Sequence, residues 1–174
     1  IKNIILVFNK KDSKRVKSLR LKNVKLIAGG ESRKESTFNA LKYLISKKGT
    51  SKVLIHDVAR PNFSSKLLST ILSAMRNARA VVPVIKIQDA IKQIIESSKE
   101  EYIIGRKRDN LFLTQTPQAF NLKEIYHLHK NNSGKYKDDD ISLYMDLNKV
   151  RFIEGEKNNF KITDKSDLEN LKAI

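Results

Sequence analysis

The sequence predicts an α/β protein built on a doubly wound, mostly parallel sheet from which a β-hairpin projects. Short apolar runs typical of buried strands alternate with longer amphipathic segments typical of helices. Strand, helix and strand in that order build a parallel sheet with helices on its faces. One stretch, residues 86–108, contains two apolar runs with no helix between them and predicts the hairpin.

The expected elements follow from this alternation. Ser64 is a good N-cap for a helix because apolar residues follow it at helical spacing, and we place Met75 of that series in the core. The predicted strands cover residues 3–8, 24–28, 52–56, 79–85, 111–115 and 150–154. The predicted helices cover residues 33–47, 64–77, 121–131, 139–147 and 166–173.

The predicted hairpin joins Ala90–Ile95 to Tyr102–Ile104 through a polar turn, Glu96–Glu100. Isoleucines on a projecting hairpin need a cover, and a second subunit is the usual one. The alternative is that the hairpin folds back on its own domain. We favour dimerisation and expect residues 86–108 to form a dimerisation arm.

Length and composition indicate one domain, residues 1–174, with a sizeable core. The chain contains no cysteine, which fits a reducing compartment, and we expect the cytoplasm. Neither a membrane span nor a signal peptide is apparent in the sequence. The chain begins at Ile1, almost directly with a strand, so we expect that an N-terminal portion is missing.

A net charge of +16 raises the possibility of nucleic-acid binding. The 26 lysines outnumber the 9 arginines and are scattered along the chain, without an arginine-rich run. No aromatic residues alternate with basic ones to provide stacking platforms. Nucleic acid is therefore an unlikely partner, and the same field would favour a small anionic substrate.

The segment His56-Asp57-Val58-Ala59-Arg60-Pro61 follows an apolar strand directly. Open α/β sheets bind ligands at the carboxyl ends of their strands. Asp57 is suited to a divalent metal or a ligand hydroxyl, and Arg60 to a bidentate phosphate contact. The alternative is a solvated strand end with an Asp–Arg pair, and we assign His56 a structural part.

Gly29-Gly30-Glu31 lies between a strand and a helix. A glycine turn there brings backbone N–H groups to a ligand, and the helix N-terminus favours an anion, although turns use glycine pairs routinely. Gln115-Thr116-Pro117-Gln118 offers a hydroxyl between two amides, or is a loop preceding the helix near Asn121.

The remaining polar clusters have two interpretations each. Lys161 is either a solvated cation or a phosphate contact. The run Asp138-Asp139-Asp140 is either a metal cluster or, as we prefer, the acidic first turn of a helix. His127 and His129 are expected on the surface of their helix.

Taken in order, these segments resemble the 2-C-methyl-D-erythritol 4-phosphate cytidylyltransferase family from the first strand to the last helix. The resemblance implies a Rossmann-like sheet and an arm that interlocks two subunits. It implies that CTP and methylerythritol phosphate are joined, with Mg²⁺ as cofactor, for isoprenoid precursors by the non-mevalonate route. The matching segments are Gly29-Gly30-x-x-Arg33-x-x-Ser36, His56-Asp57-x-Ala59-Arg60-Pro61, Gln88-Asp89-Ala90-Ile91-Lys92, Arg108-x-x-Leu111-x-x-x-Gln115-Thr116-Pro117-Gln118-x-Phe120 and Asn159-x-Lys161-Ile162-Thr163.

The resemblance also implies roles for matching residues. Asp57 would lie at the centre of the site, near the metal and the methylerythritol hydroxyls. Catalytic roles would fall to Asp57, Arg60, Arg108 and Lys161. The sugar phosphate would be bound by Arg60, Asp89, Arg108, Thr116 and Lys161, and the nucleotide by Gly29, Gly30, Glu31, Ser36 and Ala59.

One family feature is absent: the Gly-rich loop after the first strand, with its basic residues, has no counterpart here, and Ile1 aligns after it. We expect a fragment of a longer protein; the alternative is a degenerate, inactive relative that acts as a dimeric binding module. A second alternative is ribitol-5-phosphate cytidylyltransferase. Ala90 stands where the arm of the methylerythritol enzymes usually has threonine, which weakens the distinction between the two enzymes.

Overall fold

The computed structural model describes residues 1, 3–96, 101–131, 138–144 and 148–172. Nine strands and five α-helices lie in this part of the chain. In chain order they are β1 (Ile4–Phe8), α1 (Ser13–Ser18), β2 (Val24–Ala28), α2 (Arg33–Ile45), β3 (Lys52–Ile55), α3 (Ser65–Ala74), β4 (Ala80–Lys86), β5 (Ile91–Glu96), β6 (Glu101–Arg106), β7 (Phe112–Thr114), β8 (Gln118–Asn121), α4 (Leu122–Lys130), β9 (Val150–Glu154) and α5 (Lys165–Lys172).

The residues form two compact units, each made of two chain segments. The first unit comprises Ile1–Ile55 and Ala119–Val150, and the second comprises His56–Gln118 and Arg151–Ile174. Both combine strands with helices, so the predicted α/β class is confirmed.

In the first unit, β1 and β2 pair in parallel, with Ile4 opposite Val24 and Phe8 opposite Ala28. Strand β3 pairs with β8. Helix α4 begins after Asn121, whose side chain accepts a hydrogen bond from Glu124 N and so satisfies one free donor of the first turn. The core of the unit includes the buried residues Leu41, Leu44, Phe120, Leu122, Ile125 and Leu143.

In the second unit, β4 pairs with β9 and runs antiparallel to β7, with Val84 opposite Thr114. Strands β5 and β6 form an antiparallel hairpin in which Ile91 faces Arg106 and Glu96 faces Glu101. The hairpin prediction is therefore confirmed, while its turn at residues 97–100 lies outside the described residues.

Helix α3 confirms the capping argument. Ser64 Oγ accepts a hydrogen bond from Leu67 N at 2.9 Å, and Leu67, Ile71 and Met75 are buried. These three residues share one helix face because they are four residues apart, which is close to one turn. Met75 is a core residue, as the sequence predicts.

Two elements were not predicted. Helix α1 carries a single apolar side chain, Val16, and none of its residues is buried, so it has no apolar stripe to indicate a helix. Strand β8 begins at Gln118, in a segment for which the sequence offered a loop before the helix as one of two interpretations. Proline is compatible with a strand that starts immediately after it.

The predicted helix over residues 139–147 is wrong at its start. Residues Asp140–Leu143 form a 3₁₀ turn, and Tyr144 then has an extended backbone with φ −82° and ψ 111°. Residues 145–147 lie outside the described part of the chain. Within that described part, no helix combines the length and the apolar character that a bilayer span needs.

Candidate active site

Asp57 lies at the centre of a polar cluster in the second unit, two residues after β3 ends. Its Oδ2 is 3.3 Å from Lys161 Nζ, and its backbone N donates to Thr116 Oγ1 at 3.0 Å. The Asp57 side chain is 20 % exposed and that of Lys161 is 45 % exposed. The two charges therefore form a pair that solvent and a ligand can both reach.

Arg60 is oriented by backbone carbonyls. Its Nη1 donates to Asn159 O at 2.7 Å and its Nη2 to Thr114 O at 3.5 Å, while its own N donates to Asp57 O at 2.9 Å. Burial lowers the pKa of Arg60 and the nearby Asp57 carboxylate partly offsets this. Arginine remains a cation under such conditions, so Arg60 brings a fixed positive charge next to Asp57.

His56 lies within the same turn. Its Nε2 is 2.9 Å from Arg60 O and its Nδ1 is 3.1 Å from Thr116 Oγ1. The His56 and Phe63 rings pack edge to face, with their centroids 4.7 Å apart. Burial is the largest cause of its lowered pKa, and the neighbouring Arg60 charge acts in the same direction. Its contacts are those of a residue that braces the turn, in agreement with the structural part expected from the sequence.

Ala59 connects the turn to the chain around Lys161. Its carbonyl oxygen accepts a hydrogen bond from Ile162 N at 2.8 Å. The resemblance to the family assigns Ala59 to nucleotide binding, and that assignment stays a prediction. What the structure adds is a backbone bond that fixes residues 159–162 beside residues 57–60.

Asp89 and Arg108 lie at the base of the hairpin, before β5 and after β6 respectively. Arg108 Nη1 donates to the carbonyl oxygen of Gln88. The structure thus groups Asp57, Arg60, Thr116 and Lys161 through direct bonds or one shared partner, and it places Asp89 and Arg108 on the arm.

The glycine turn of the first unit joins β2 to α2. Gly29 N donates to Phe8 O at 2.8 Å, Gly30 N to Ser36 Oγ at 3.2 Å, and Glu31 N to Glu35 Oε2 at 2.9 Å. These N–H groups are thus bonded within the turn and helix. Nucleotide contact by Gly29, Gly30, Glu31 and Ser36 remains a prediction.

Close packing explains why both positions are glycine. A Cβ atom at Gly29 would lie 2.6 Å from Ser36 Oγ, and one at Gly30 would lie 2.4 Å from Glu35 Cβ. At both positions a Cβ atom would force a side chain of α2 to shift, so the glycines let helix α2 start close against the turn.

A buried ion cluster in the first unit was missed. Asp140 Oδ2 lies 2.9 Å from Arg33 Nη1 and its Oδ1 lies 2.9 Å from His129 Nε2, with Asp140 fully buried. The expectation that His129 is a surface residue is wrong: it is 3 % exposed. Its position gave a signal, because Leu122, Ile125 and His129 follow at helical spacing along one buried face.

The acidic run divides into separate roles. Asp139 caps the 3₁₀ turn by accepting from Ser142 N at 3.2 Å, which agrees with the preferred acidic first turn, although that turn is not α-helical. Asp140 belongs to the buried cluster. Among the residues that the structure describes, no group of three or more His, Cys, Asp or Glu side chains is arranged to hold a metal ion.

The described residues thus combine an α/β fold with a carboxylate, Asp57, that lies two residues beyond a strand and close to Arg60 and Lys161. The 2-C-methyl-D-erythritol 4-phosphate cytidylyltransferase family model matches residues 1–174. The chain belongs to that family, whose members are nucleotidyltransferases.

Individual relatives agree with this. The bifunctional enzyme IspD/IspF of Pelagibacter ubique is 41 % identical over 165 residues, which are 95 % of this chain and 43 % of that protein. The 2-C-methyl-D-erythritol 4-phosphate cytidylyltransferase of Bacillus cytotoxicus is 33 % identical over 150 residues, 84 % of this chain and 64 % of that protein. The chain therefore spans less than two thirds of the length of either relative.

A solved structure shares the fold. The crystal structure of 4-diphosphocytidyl-2C-methyl-D-erythritol synthase from Anaerococcus prevotii superimposes with a TM-score of 0.83 at 33 % identity, covering 99 % of this chain and 78 % of that one. The resemblance seen in the sequence and the predicted Rossmann-like fold are both confirmed.

Proposed function

We propose that the protein transfers the cytidylyl group of CTP to 2-C-methyl-D-erythritol 4-phosphate, giving CDP-methylerythritol and pyrophosphate for isoprenoid precursor synthesis by the non-mevalonate route. One observation supports this most directly. Asp57 Oδ2 lies 3.3 Å from Lys161 Nζ, and Asp57 is in the same turn as Arg60. The Asp57 carboxylate can accept hydrogen bonds from hydroxyl groups, and the cations Arg60 and Lys161 can bind a phosphate. This combination matches a substrate that is a phosphorylated polyol.

The reaction needs alignment more than acid–base chemistry. A phosphate oxygen of the sugar phosphate attacks the α-phosphorus of CTP, and the bond from that phosphorus to the bridging oxygen breaks, which releases pyrophosphate. The attacking phosphate is already an anion, so no general base of raised pKa is required. Catalysis then consists of holding the two phosphates in line and neutralising their charge.

The resemblance to the family suggests the role of each residue, and the contacts described above are compatible with these roles. Arg60 and Lys161 hold the sugar phosphate, with Arg108 and Asp89 contributing from the base of the arm. Asp57 orients the methylerythritol hydroxyls. The Thr116 hydroxyl accepts from Asp57 N at 3.0 Å, so it also fixes the backbone that carries Asp57. The nucleotide is assigned to Gly29, Gly30, Glu31, Ser36 and Ala59 by resemblance to the family.

Magnesium fits the residues present if the nucleotide supplies most of its ligands. Mg²⁺ typically takes one or two protein carboxylates together with substrate phosphates and water, rather than a cage of protein oxygens. Asp57 is a single, partly exposed carboxylate of that kind. Bound there, the ion would contribute neutralisation of triphosphate charge, and the cations of the chain would neutralise the rest.

The proposal includes a homodimer held by the arm and a cytoplasmic location. Ile94 and Ile104 on the hairpin are 63 % and 38 % exposed, which supports a partner surface there. The absence of cysteine agrees with a reducing compartment. Nucleic acid is not a proposed partner.

The test is a substrate panel on the product of the complete reading frame, including any residues upstream of Ile1. Pyrophosphate release would be measured with CTP, Mg²⁺ and either 2-C-methyl-D-erythritol 4-phosphate or ribitol 5-phosphate. We expect release with the first sugar phosphate. The family model and the Bacillus cytotoxicus relative carry the methylerythritol name, so the ribitol alternative is not favoured. Release with ribitol phosphate alone, or with neither, would contradict the proposal.

A further inference from the structure

Two buried carboxamides lie behind the Asp57 cluster. Gln115 is 2 % exposed and Asn159 is completely buried. Burial of an amide is unfavourable unless its donors and acceptor are bonded, so the partners of these two side chains indicate what they do.

Gln115 is bonded at both ends of its amide. Its Nε2 donates to Glu156 O at 2.8 Å and to Asn159 O at 3.1 Å, and its Oε1 accepts from Glu156 N at 3.0 Å. These bonds hold the turn that follows β9. The Gln115 amide is therefore bonded to the protein's own backbone through both its nitrogen and its oxygen.

Asn159 extends the same network to the cluster. Its Nδ2 donates to Thr116 O at 2.9 Å, and its backbone O accepts from Arg60 Nη1 at 2.7 Å. Two residues further on, Lys161 pairs with Asp57. One residue thus contacts the segments that carry Thr116 and Arg60 and lies next to the segment that carries Lys161.

Gly155 leaves room for this arrangement. A Cβ atom there would lie 2.4 Å from Gln115 Oε1 and 3.2 Å from Ile85 Cγ2. Gly155 N also donates to Val84 O at 2.9 Å, which fixes the turn to β4. A side chain at this position would displace the Gln115 amide from the turn that it binds.

We propose that Gln115 and Asn159 are positioning residues that fix the Arg60 guanidinium and the Lys161 ammonium relative to Asp57. We call Gln115 and Asn159 the amide clamp, and the contacts that define it are all within the protein. Its effect on phosphate binding depends on the proposed function. Without the clamp, residues 155–162 lose their side-chain bonds to residues 115–116, and both cations lose their fixed direction.

The experiment uses Asn159→Ala and Gln115→Met, with Asn158→Ala as the matched control because Asn158 is adjacent in sequence and exposed. We expect the two clamp variants to raise KM for methylerythritol phosphate about tenfold while KM for CTP changes little, since only the sugar phosphate depends on both cations. Equal increases in both KM values would overturn the proposal, because a general loss of structure has no preference between substrates.

A second measurement does not depend on activity, and its first readout needs no variant. In the unsubstituted protein, the carboxamide protons of Gln115 and Asn159 should exchange with solvent far more slowly than those of Asn158, as followed by NMR. Exchange as fast as that of Asn158 would overturn the clamp. The Ile162 amide, which donates to Ala59 O at 2.8 Å, should lose protection in Asn159→Ala but not in Asn158→Ala.

These readouts separate the two proposals. Slow carboxamide exchange together with no pyrophosphate release from any substrate pair would support the clamp and contradict the proposed function. Pyrophosphate release with unchanged KM values and unchanged Ile162 protection in both clamp variants would support the proposed function and overturn the clamp.

Discussion

Lys161 Nζ lies 3.3 Å from Asp57 Oδ2 and joins two segments that are far apart in the sequence. The pair is partly exposed, so its own contribution to stability is small. A nearby backbone bond from Ile162 N to Ala59 O already connects the segments. The fold therefore depends little on this pair of charges, which agrees with the ligand-binding role proposed for them.

Replacement of Lys161 by alanine should weaken binding of the sugar phosphate selectively. We expect KM for methylerythritol phosphate to rise about tenfold or more, with a much smaller change for CTP, because a charge-assisted contact to phosphate is lost. Steady-state kinetics of pyrophosphate release measure both constants. Lys157→Ala is the control, since Lys157 is exposed and two residues before Asn159. Equal changes for both substrates would contradict the phosphate assignment.

Removal of residues 93–103, with the strand ends joined by two glycines, should convert a dimer to monomers. The deletion takes away most of β5 and β6, including Ile94, whose side chain is largely exposed within one chain. Analytical ultracentrifugation reports the mass in solution.

A point substitution supports the deletion. Ile94→Lys should also favour monomers by placing a charge in the interface, whereas Leu72→Lys on helix α3 should not, although Leu72 is exposed as well. A dimer that survives the deletion would refute the arm.

His56 should make stability depend on pH below about 6.5, its ordinary pKa. Burial lowers the pKa of His56 in the folded protein, so between the two pKa values the unfolded chain binds more protons. The stability contributed by neutral His56 is therefore present above pH 6.5 and is lost as pH falls towards the folded pKa.

Urea unfolding at a series of pH values tests this. In His56→Gln, the free energy of unfolding should decrease less steeply below pH 6.5 than in the unsubstituted protein. The control His127→Gln, at an exposed position, should have the same pH dependence as the unsubstituted protein. An identical pH dependence in His56→Gln and the unsubstituted protein would contradict the prediction.

Asp140→Asn should destabilise the first unit by about 3 kcal/mol, because Arg33 would lose its buried counter-charge and His129 Nε2 would no longer face a carboxylate. Asp138 is nearby in the sequence and exposed, so Asp138→Asn is the control, and it should change the free energy of unfolding by less than about 0.5 kcal/mol. Urea unfolding monitored by circular dichroism gives both values. A loss in Asp140→Asn as small as the control would show that the cluster does not stabilise the unit.

Periodicity predicted the elements that bury a regular apolar face. Helix α3, with Leu67, Ile71 and Met75 on one side, is an example. Helix α1 and strand β8 lack such a face and were missed. The start of the 139–147 prediction was wrong because an acidic run that caps a helix caps a 3₁₀ turn equally well.

The candidate site was predictable where a polar motif follows a strand, as with Asp57 and Arg60. The hydrogen-bond and ion-pair partners of each side chain could not be predicted, because they depend on contacts between segments distant in sequence. Lys161 pairing with Asp57, and Gln115 binding the backbone at Glu156, are contacts of this kind. His129 was expected on the surface of its helix, whereas it lies on the buried face of α4 with Leu122 and Ile125.

The most direct test of the account is pyrophosphate release by Asp57→Asn compared with the unsubstituted protein, with CTP, methylerythritol phosphate and Mg²⁺. The substitution keeps the shape of the side chain and removes the charge at the centre of the cluster, and Asp109→Asn, at an exposed position, is the control. We predict that Asp57→Asn abolishes turnover while its circular dichroism spectrum and unfolding midpoint stay close to those of the unsubstituted protein. Near-normal turnover in Asp57→Asn would remove Asp57 from the mechanism and contradict the account.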